Sequence, residues 1–177
     1  MSEVENPVIA LWELHMQAEF AHRSVEEALA TMTSNPHVTL VPTMMGGKGR
    51  EGVGHFYGNH FLNQLPPDIE IVPVSRTVGK DRLVDEMVIR FTHSIQMDWV
   101  LPGVPPTGKR IEIAMVGVIY VEDGKIAAEH LYYDNATVLR QAGLLPDPAL
   151  PVLGAESARQ VLDQSAPYNE LAQRGRR

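Results

Sequence analysis

The stretch LPGVPPTGKRIEIAMVGVIYVEDGKIAAEHLYYDNATVLRQAGLLP, Leu101 to Pro146, decides the fold. A Pro/Gly loop, Leu101 to Gly108, leads into an apolar strand over Lys109 to Val121. Glu122-Asp123-Gly124 is a tight turn, and Lys125 to Asp134 returns as the second arm of a hairpin. Successive strand side chains point to opposite faces, so Ile126, Ala128, His130, Tyr132 and Asp134 fall on one side. Polar, proton-handling groups then end an otherwise apolar face, as an active site in a half-buried sheet requires. Asn135 to Ala142 reads as a short helix stopped by Gly143.

Upstream, Asn6-Pro7 is a helix start, and Trp12, Met16 and Phe20 recur every four residues in a helical stretch reaching about Thr33. Ser24 stands in capping-box spacing to Glu27 and marks a joint in it. Val38 to Val41 reads as a short strand, Met44 to Gly52 as a glycine-rich loop, and Glu51 to Leu65 as a helix closed by Pro66-Pro67. Ile69 to Val78 alternates but holds Pro73, the mark of an edge strand or a bulge. Arg82 to Trp99 is too long for one straight strand, so a bend or a bulge is expected. Helices followed by a meandering antiparallel sheet make an α+β fold, with helices over a strongly curved, cone-shaped sheet whose hollow holds a small ligand. The division predicted is an α+β domain over residues 1–146 and a C-terminal extension with a short helix over 147–177.

Composition narrows the function. The chain has 177 residues, enough for one domain with a real core. The absence of cysteine removes disulfides, thiolate metal sites and thiol nucleophiles. A net charge of −7 argues against nucleic acid as a partner, and the basic end Arg174-Gly175-Arg176-Arg177 reads as a solvated tail. No apolar run approaches the ~18 residues of a membrane span, and the acidic start MSEVENP lacks a signal-peptide core, so a cytoplasmic location is expected. No HExxH, HxH or paired Cys/His spacing points to a metal. Gly46-Gly47-Lys48-Gly49-Arg50 lacks P-loop spacing, and there is no GxSxG elbow.

Asp134 is the first candidate acid or base, with an open alternative: it stands directly before a helix and is also placed to cap it. His130 shares its predicted face, and His93 lies on the long strand among Phe91, Ile95 and Met97. Asp134 within hydrogen-bond reach of His93 or His130 favours catalysis; Asp134 engaged only in capping favours a binding protein. Tyr132, Met45, Tyr57, Phe56, Met97, Trp99 and Met115 are the expected substrate-contacting residues. His15 and His22, seven apart on the first helix, read as groove or surface residues.

The run Pro105-Pro106-Thr107-Gly108-Lys109, then Glu122-Asp123-Gly124-Lys125-Ile126, Glu129-His130, Asp134 and Leu139 to Leu145, resembles the SnoaL-like polyketide cyclases of the nuclear transport factor two-like superfamily. Gly49-Arg50-Glu51-Gly52-Val53 and Thr92-His93 fit the same pattern, which covers roughly residues 8 to 146. The resemblance implies a cone-shaped α+β barrel with a deep apolar pocket, no cofactor, and homodimers packed sheet to sheet. It carries the acid/base aspartate over to Asp134 and the pocket histidine over to His93, while His130 stands where the family often has tryptophan. The activity it implies is cofactor-independent acid/base chemistry on a small apolar carbonyl compound, of cyclase or isomerase type. The alternatives are a lactone, ester or epoxide hydrolase or dehydratase, carboxymethylenebutenolidase among them, and a non-catalytic small-molecule binding module.

Overall fold

The computed structural model describes residues 6–174; the acidic start, 1–5, and the last three residues of the basic tail, 175–177, lie outside it. Six strands form one sheet in the order β2-β1-β6-β5-β4-β3: β1 Met32–Leu40, β2 Met45–Lys48, β3 Glu70–Val78, β4 Arg82–Thr92, β5 Arg110–Glu122 and β6 Lys125–Tyr133. Every pairing is antiparallel except β1 with β6. The fold is α+β, as expected, but the curved sheet stays unclosed, with β2 and β3 as its edges. Pro73 lies on edge strand β3, where the register shifts between Pro73 and Ser75, because a residue without an N–H cannot serve a central ladder.

The inner face of the sheet carries Leu83, Met87, Ile89 and Phe91 of β4 and Ile111, Ile113, Met115 and Ile119 of β5, all buried. Against it lie α1 (Pro7–Met16), α2 (Val25–Ala30) and α3 (Gly49–Phe56). Asn6 caps α1 through the Val8 N–H at 2.9 Å, and Ser24 caps α2 through the Glu27 N–H at 3.2 Å. The helical stretch is thus two pieces, joined where Ser24 marks it, and it ends at Ala30 rather than near Thr33. A π-helical turn, Gln17–His22, widens the end of α1, and Arg23 takes a left-handed φ of 51° before α2 begins. A second π-helical turn, Tyr57–Phe61, extends α3. Such turns rotate side chains out of the α register, and both carry residues of the interior site.

The glycine-rich segment is β2 and the start of α3 rather than loop. A Cβ on Gly46 would sit 2.0 Å from the Val38 carbonyl oxygen, and one on Gly47 would sit 2.2 Å from that of Gly52. The glycines serve close backbone packing. The long strand ends at Thr92 rather than bending through to Trp99. Beyond it, Asp98 anchors the loop by accepting from the Gly103 N–H at 3.1 Å and from the side chains of Gln64 and Gln96. These hydrogen bonds, Gly103's first, hold its carboxyl far below the usual range. The anchor presents Trp99 inward, 2 % exposed, with its indole N–H on the Gln64 carbonyl.

After Tyr133 the chain forms α4 (Asn135–Gln141), then α5 (Glu156–Leu162), which packs on the outer face of β5 and β4, and α6 (Glu170–Arg174). Arg159 of α5 donates to Glu112 at 2.6 and 3.0 Å, and Arg90 donates to the same carboxylate at 3.2 Å. Residues after 146 thus brace the sheet from the side opposite the helices. Among the described residues, no helix is long and apolar enough to cross a membrane.

Candidate active site

One register shift decides which face of β6 is inside. Tyr120 pairs with Ala128, but Val121 pairs with Ile126, so Ala127 is an extra, unpaired residue. A bulge of one residue reverses the facing of everything beyond it. Ile126 points into the core, and after the bulge the inward positions are Glu129, Leu131 and Tyr133, facing Ile119, Gly117 and Met115 on β5. The parity carried through from Ile126 to Asp134 does not hold, and His130 and Tyr132 face outward.

The predicted residues consequently separate. Asp134 is exposed and caps α4, accepting from the Ala136 N–H at 2.9 Å. Tyr132 is 45 % exposed. His130 meets His37 of β1, Nε2 to Nε2 at 2.9 Å, and packs its ring against Tyr120. His93 is buried at the mouth of the Pro/Gly loop, where its Nδ1 accepts from the Thr107 hydroxyl at 3.1 Å and the Thr107 N–H at 3.2 Å. Its Nε2 has no partner among the described residues, and burial lowers its pKa. No hydrogen bond joins Asp134 to His93 or His130 among the described residues.

Polar groups do converge elsewhere. Beneath the helices lies a cavity of about 40 Å³ lined by apolar side chains, with Glu19, Glu129 and Tyr57 at its polar end. Of the predicted contact residues, Phe56, Tyr57, Trp99 and Met115 line this cavity, whereas Met45, Met97 and Tyr132 do not. Its volume admits a few waters, since one needs ~10–15 Å³ of such space. A larger guest has to displace wall groups such as Met16 and Phe20, both only partly buried.

His15 sits behind that polar end, fully buried. Its Nδ1 lies 2.6 Å from the Thr31 hydroxyl oxygen, and that hydroxyl donates to the Ala28 carbonyl at 2.7 Å. With the hydroxyl proton committed, Nδ1 must be the donor to Thr31. Nε2 then faces the acids: Glu129 at 3.0 Å, Glu19 at 3.2 Å and the Tyr57 hydroxyl at 3.2 Å. Tyr57 donates to Glu129 at 3.1 Å. The ring orientation is fixed from above. Trp12 stacks on His15 at 5.6 Å and 16°, and its indole N–H donates to Asp85 at 2.8 Å. Arg76 grips Asp85 with two bonds of 3.0 and 2.8 Å. The chain Arg76–Asp85–Trp12–His15 thus ties the imidazole to strands β3 and β4.

Burial alone pulls the His15 pKa down, but Glu129 and then Glu19 outweigh it and raise it to about 10. Burial raises the Glu19 pKa, against the pull of His15. Burial and the two carboxylates hold the Tyr57 hydroxyl well above its ordinary value, so it keeps its proton. The site holds one cationic ring between two carboxyl groups of different surroundings, which is the arrangement that separates an acid from a base. His15, Glu19 and Glu129 also form a described group whose donor atoms, all within 4.8 Å of one another, lie close enough to share a cation.

The signals for these residues were present but masked. His15 and Glu19 are an i, i+4 pair on the same apolar stripe as Trp12. Glu129 stands next to His130, on the parity that only the bulge turns inward.

No curated protein matches the chain. Among solved structures, a protein described as a SnoaL-like polyketide cyclase from Jannaschia sp. CCS1 superposes with a TM-score of 0.65 at 18% identity, covering 83% of this chain and 98% of that one. TsrD from Streptomyces laurentii gives 0.61 at 18% identity, over 78% and 96%. A nuclear transport factor two-like protein of unknown function from Burkholderia pseudomallei K96243 gives 0.60 at 17% identity, over 77% and 98%. At such identities these likenesses speak for the fold. The sequence model of the SnoaL-like polyketide cyclases matches residues 13–142, a span from the first helix through α4, and the chain belongs to that family.

Proposed function

We propose that this protein is an acid/base enzyme acting on a small, mostly apolar carbonyl compound, bound in the interior cavity with its oxygen at the Glu19–Tyr57–Glu129 end. One observation carries the reading: ionisable groups are concentrated at one end of an otherwise apolar cavity, around an imidazole held by Thr31 and Trp12. Glu19, whose raised pKa favours the neutral carboxyl, donates to the carbonyl oxygen. Glu129, which accepts from His15 and Tyr57, takes the proton from the neighbouring carbon. His15 balances the charge as the proton moves. Asp134 and His93, which the resemblance puts forward, and His130, which shares the predicted face of Asp134, have no place in this step.

The test is proton exchange at the α-carbon of a panel of small ketones in D2O, followed by NMR. Exchange above the buffer rate, reduced about 10²–10⁴-fold in Glu129→Gln and Glu19→Gln with the far-UV dichroism unchanged, is the expected result. A second reading is a binding protein, favoured by the small cavity whose polar groups already satisfy one another. Ligand-dependent thermal stabilisation with no exchange for any ketone would decide for it.

A further inference from the structure

The outer face of the β1–β6 pair carries a feature the interior chemistry does not use. His37 and His130 come from strands 93 positions apart in sequence, and their Nε2 atoms lie 2.9 Å apart. The parallel ladder, which pairs His37 with Ala128 and Thr39 with His130, sets this spacing. Neither Nδ1 has a hydrogen-bond partner among the described residues. Both rings are only partly buried, so one side of the pair is open to water. We propose that His37 and His130 form a bidentate site for a divalent transition-metal ion, of the kind that takes two imidazoles in adjacent coordination positions.

The geometry selects the ion. One proton now lies between two nitrogens, and a metal replaces it while releasing it to solvent. With metal–nitrogen bonds of ~2.0–2.1 Å, two nitrogens 2.9 Å apart subtend about 90° at the metal, whereas a tetrahedral ion needs ~3.3 Å. Right-angled neighbours belong to tetragonal Cu(II) and Ni(II), for which imidazole is a suitable ligand. The rings stand head to head, with centroids 5.1 Å apart, and must tilt to direct both lone pairs at one point. The surroundings limit affinity. Tyr120 of β5 packs on His130, Arg82 of β4 lies 4.4 Å over the Tyr120 ring, and Lys48 of β2 pairs in register with His37. A bound ion would clamp β1 to β6, whose inner sides bring Val38, Leu40, Glu129 and Leu131 to the cavity.

The experiment is a Cu(II) titration of tag-free, chelator-washed protein at pH 7.5, read by calorimetry and by electron paramagnetic resonance. The expected result is one equivalent bound with the hyperfine pattern of two nitrogens, tighter than Zn(II). Binding weakens at least ~10-fold in His37→Ala and in His130→Ala but persists in Glu129→Gln, and the melting temperature rises with metal only where both histidines remain. Three results would each overturn the proposal. These are no saturable binding, binding that survives in both histidine variants, or loss in Glu129→Gln with retention in His130→Ala. The last would move the ion to the interior group and leave the acid/base reading to be judged on exchange activity alone.

Discussion

The two faces of β6 carry adjacent residues of similar chemistry and put them to different uses. Glu129, 2 % exposed, has an imidazole and a phenol as partners and apolar walls around it. His130, one residue on, shares its proton with another histidine on an outer face that water reaches. Inside, every proton has a defined owner, and moving one shifts charge in a low-dielectric space where it is expensive. Outside, solvent levels such differences. A catalytic constellation is therefore recognised by what surrounds the titratable groups more than by how many share a strand.

Removing one partner from each face should break the comparison most strongly. Glu129→Ala leaves a buried phenol without its acceptor and a buried cationic ring with only Glu19, and a loss of about 3–5 kcal/mol in urea unfolding is expected. His130→Ala removes one half-exposed neutral hydrogen bond, worth about 1 kcal/mol. Equal losses for the two variants would mean that the interior group is not charged as described.

The pH dependence of stability sharpens the same contrast. Against burial, Glu129 and then Glu19 raise His15 from 6.5 to about 10 on folding, so its contribution is complete below pH 6.5 and disappears as the pH climbs through 10. The raised Glu19 acts in the same direction. The native carboxyl keeps a proton that the unfolded chain releases above about 4.5, so stability declines further as the pH rises. The acid side runs the other way, because Asp98 and Glu112 have lowered values, and what they contribute is lost as the pH falls toward those values. The melting temperature should therefore fall from pH 6.5 to 10, and the fall should shrink in Glu129→Gln, which removes the stronger of the two attractions on His15. An unchanged slope in that variant would disconnect His15 from Glu129.

A smaller effect tests how the imidazole is held. Arg76→Ala frees Asp85, the acceptor that fixes Trp12 over His15. A cost of about 1–3 kcal/mol is expected, together with a change in indole fluorescence. An unaltered emission spectrum would show that Trp12 holds its place without the ion pair.

The fold was legible in the sequence because its signals are local. The Asn6 and Ser24 caps, the Glu122-Asp123-Gly124 hairpin and the edge-strand Pro73 are all read from a few neighbouring residues, and all occur where predicted. The site was only half legible. Phe56, Tyr57, Trp99 and Met115 line the cavity, since large apolar groups on these elements have little else to cover. Glu129 was hidden by one unpaired residue, Ala127, since a bulge leaves no mark in a pattern of alternation and yet reverses it. Glu19 was hidden because its turn widens to π geometry at Gln17 and departs from the period used to read it, while His15, in the regular helix before that turn, read as a groove or surface residue.

Asp134 gives the smallest effect and the most direct check on the reversed parity. As the residue that accepts from the Ala136 N–H, it stabilises α4 as a cap does, so Asp134→Ala should cost about 1 kcal/mol. Asp134→Asn keeps a capping oxygen and should cost less than half of that, with any ketone exchange activity unaltered. The resemblance to the cyclases leads to the opposite expectation, abolished turnover in the asparagine variant with folding intact. The two outcomes differ by orders of magnitude in rate at nearly equal stability. A single rate measurement on Asp134→Asn thus decides whether protons move beneath Trp12 or at the exposed end of β6.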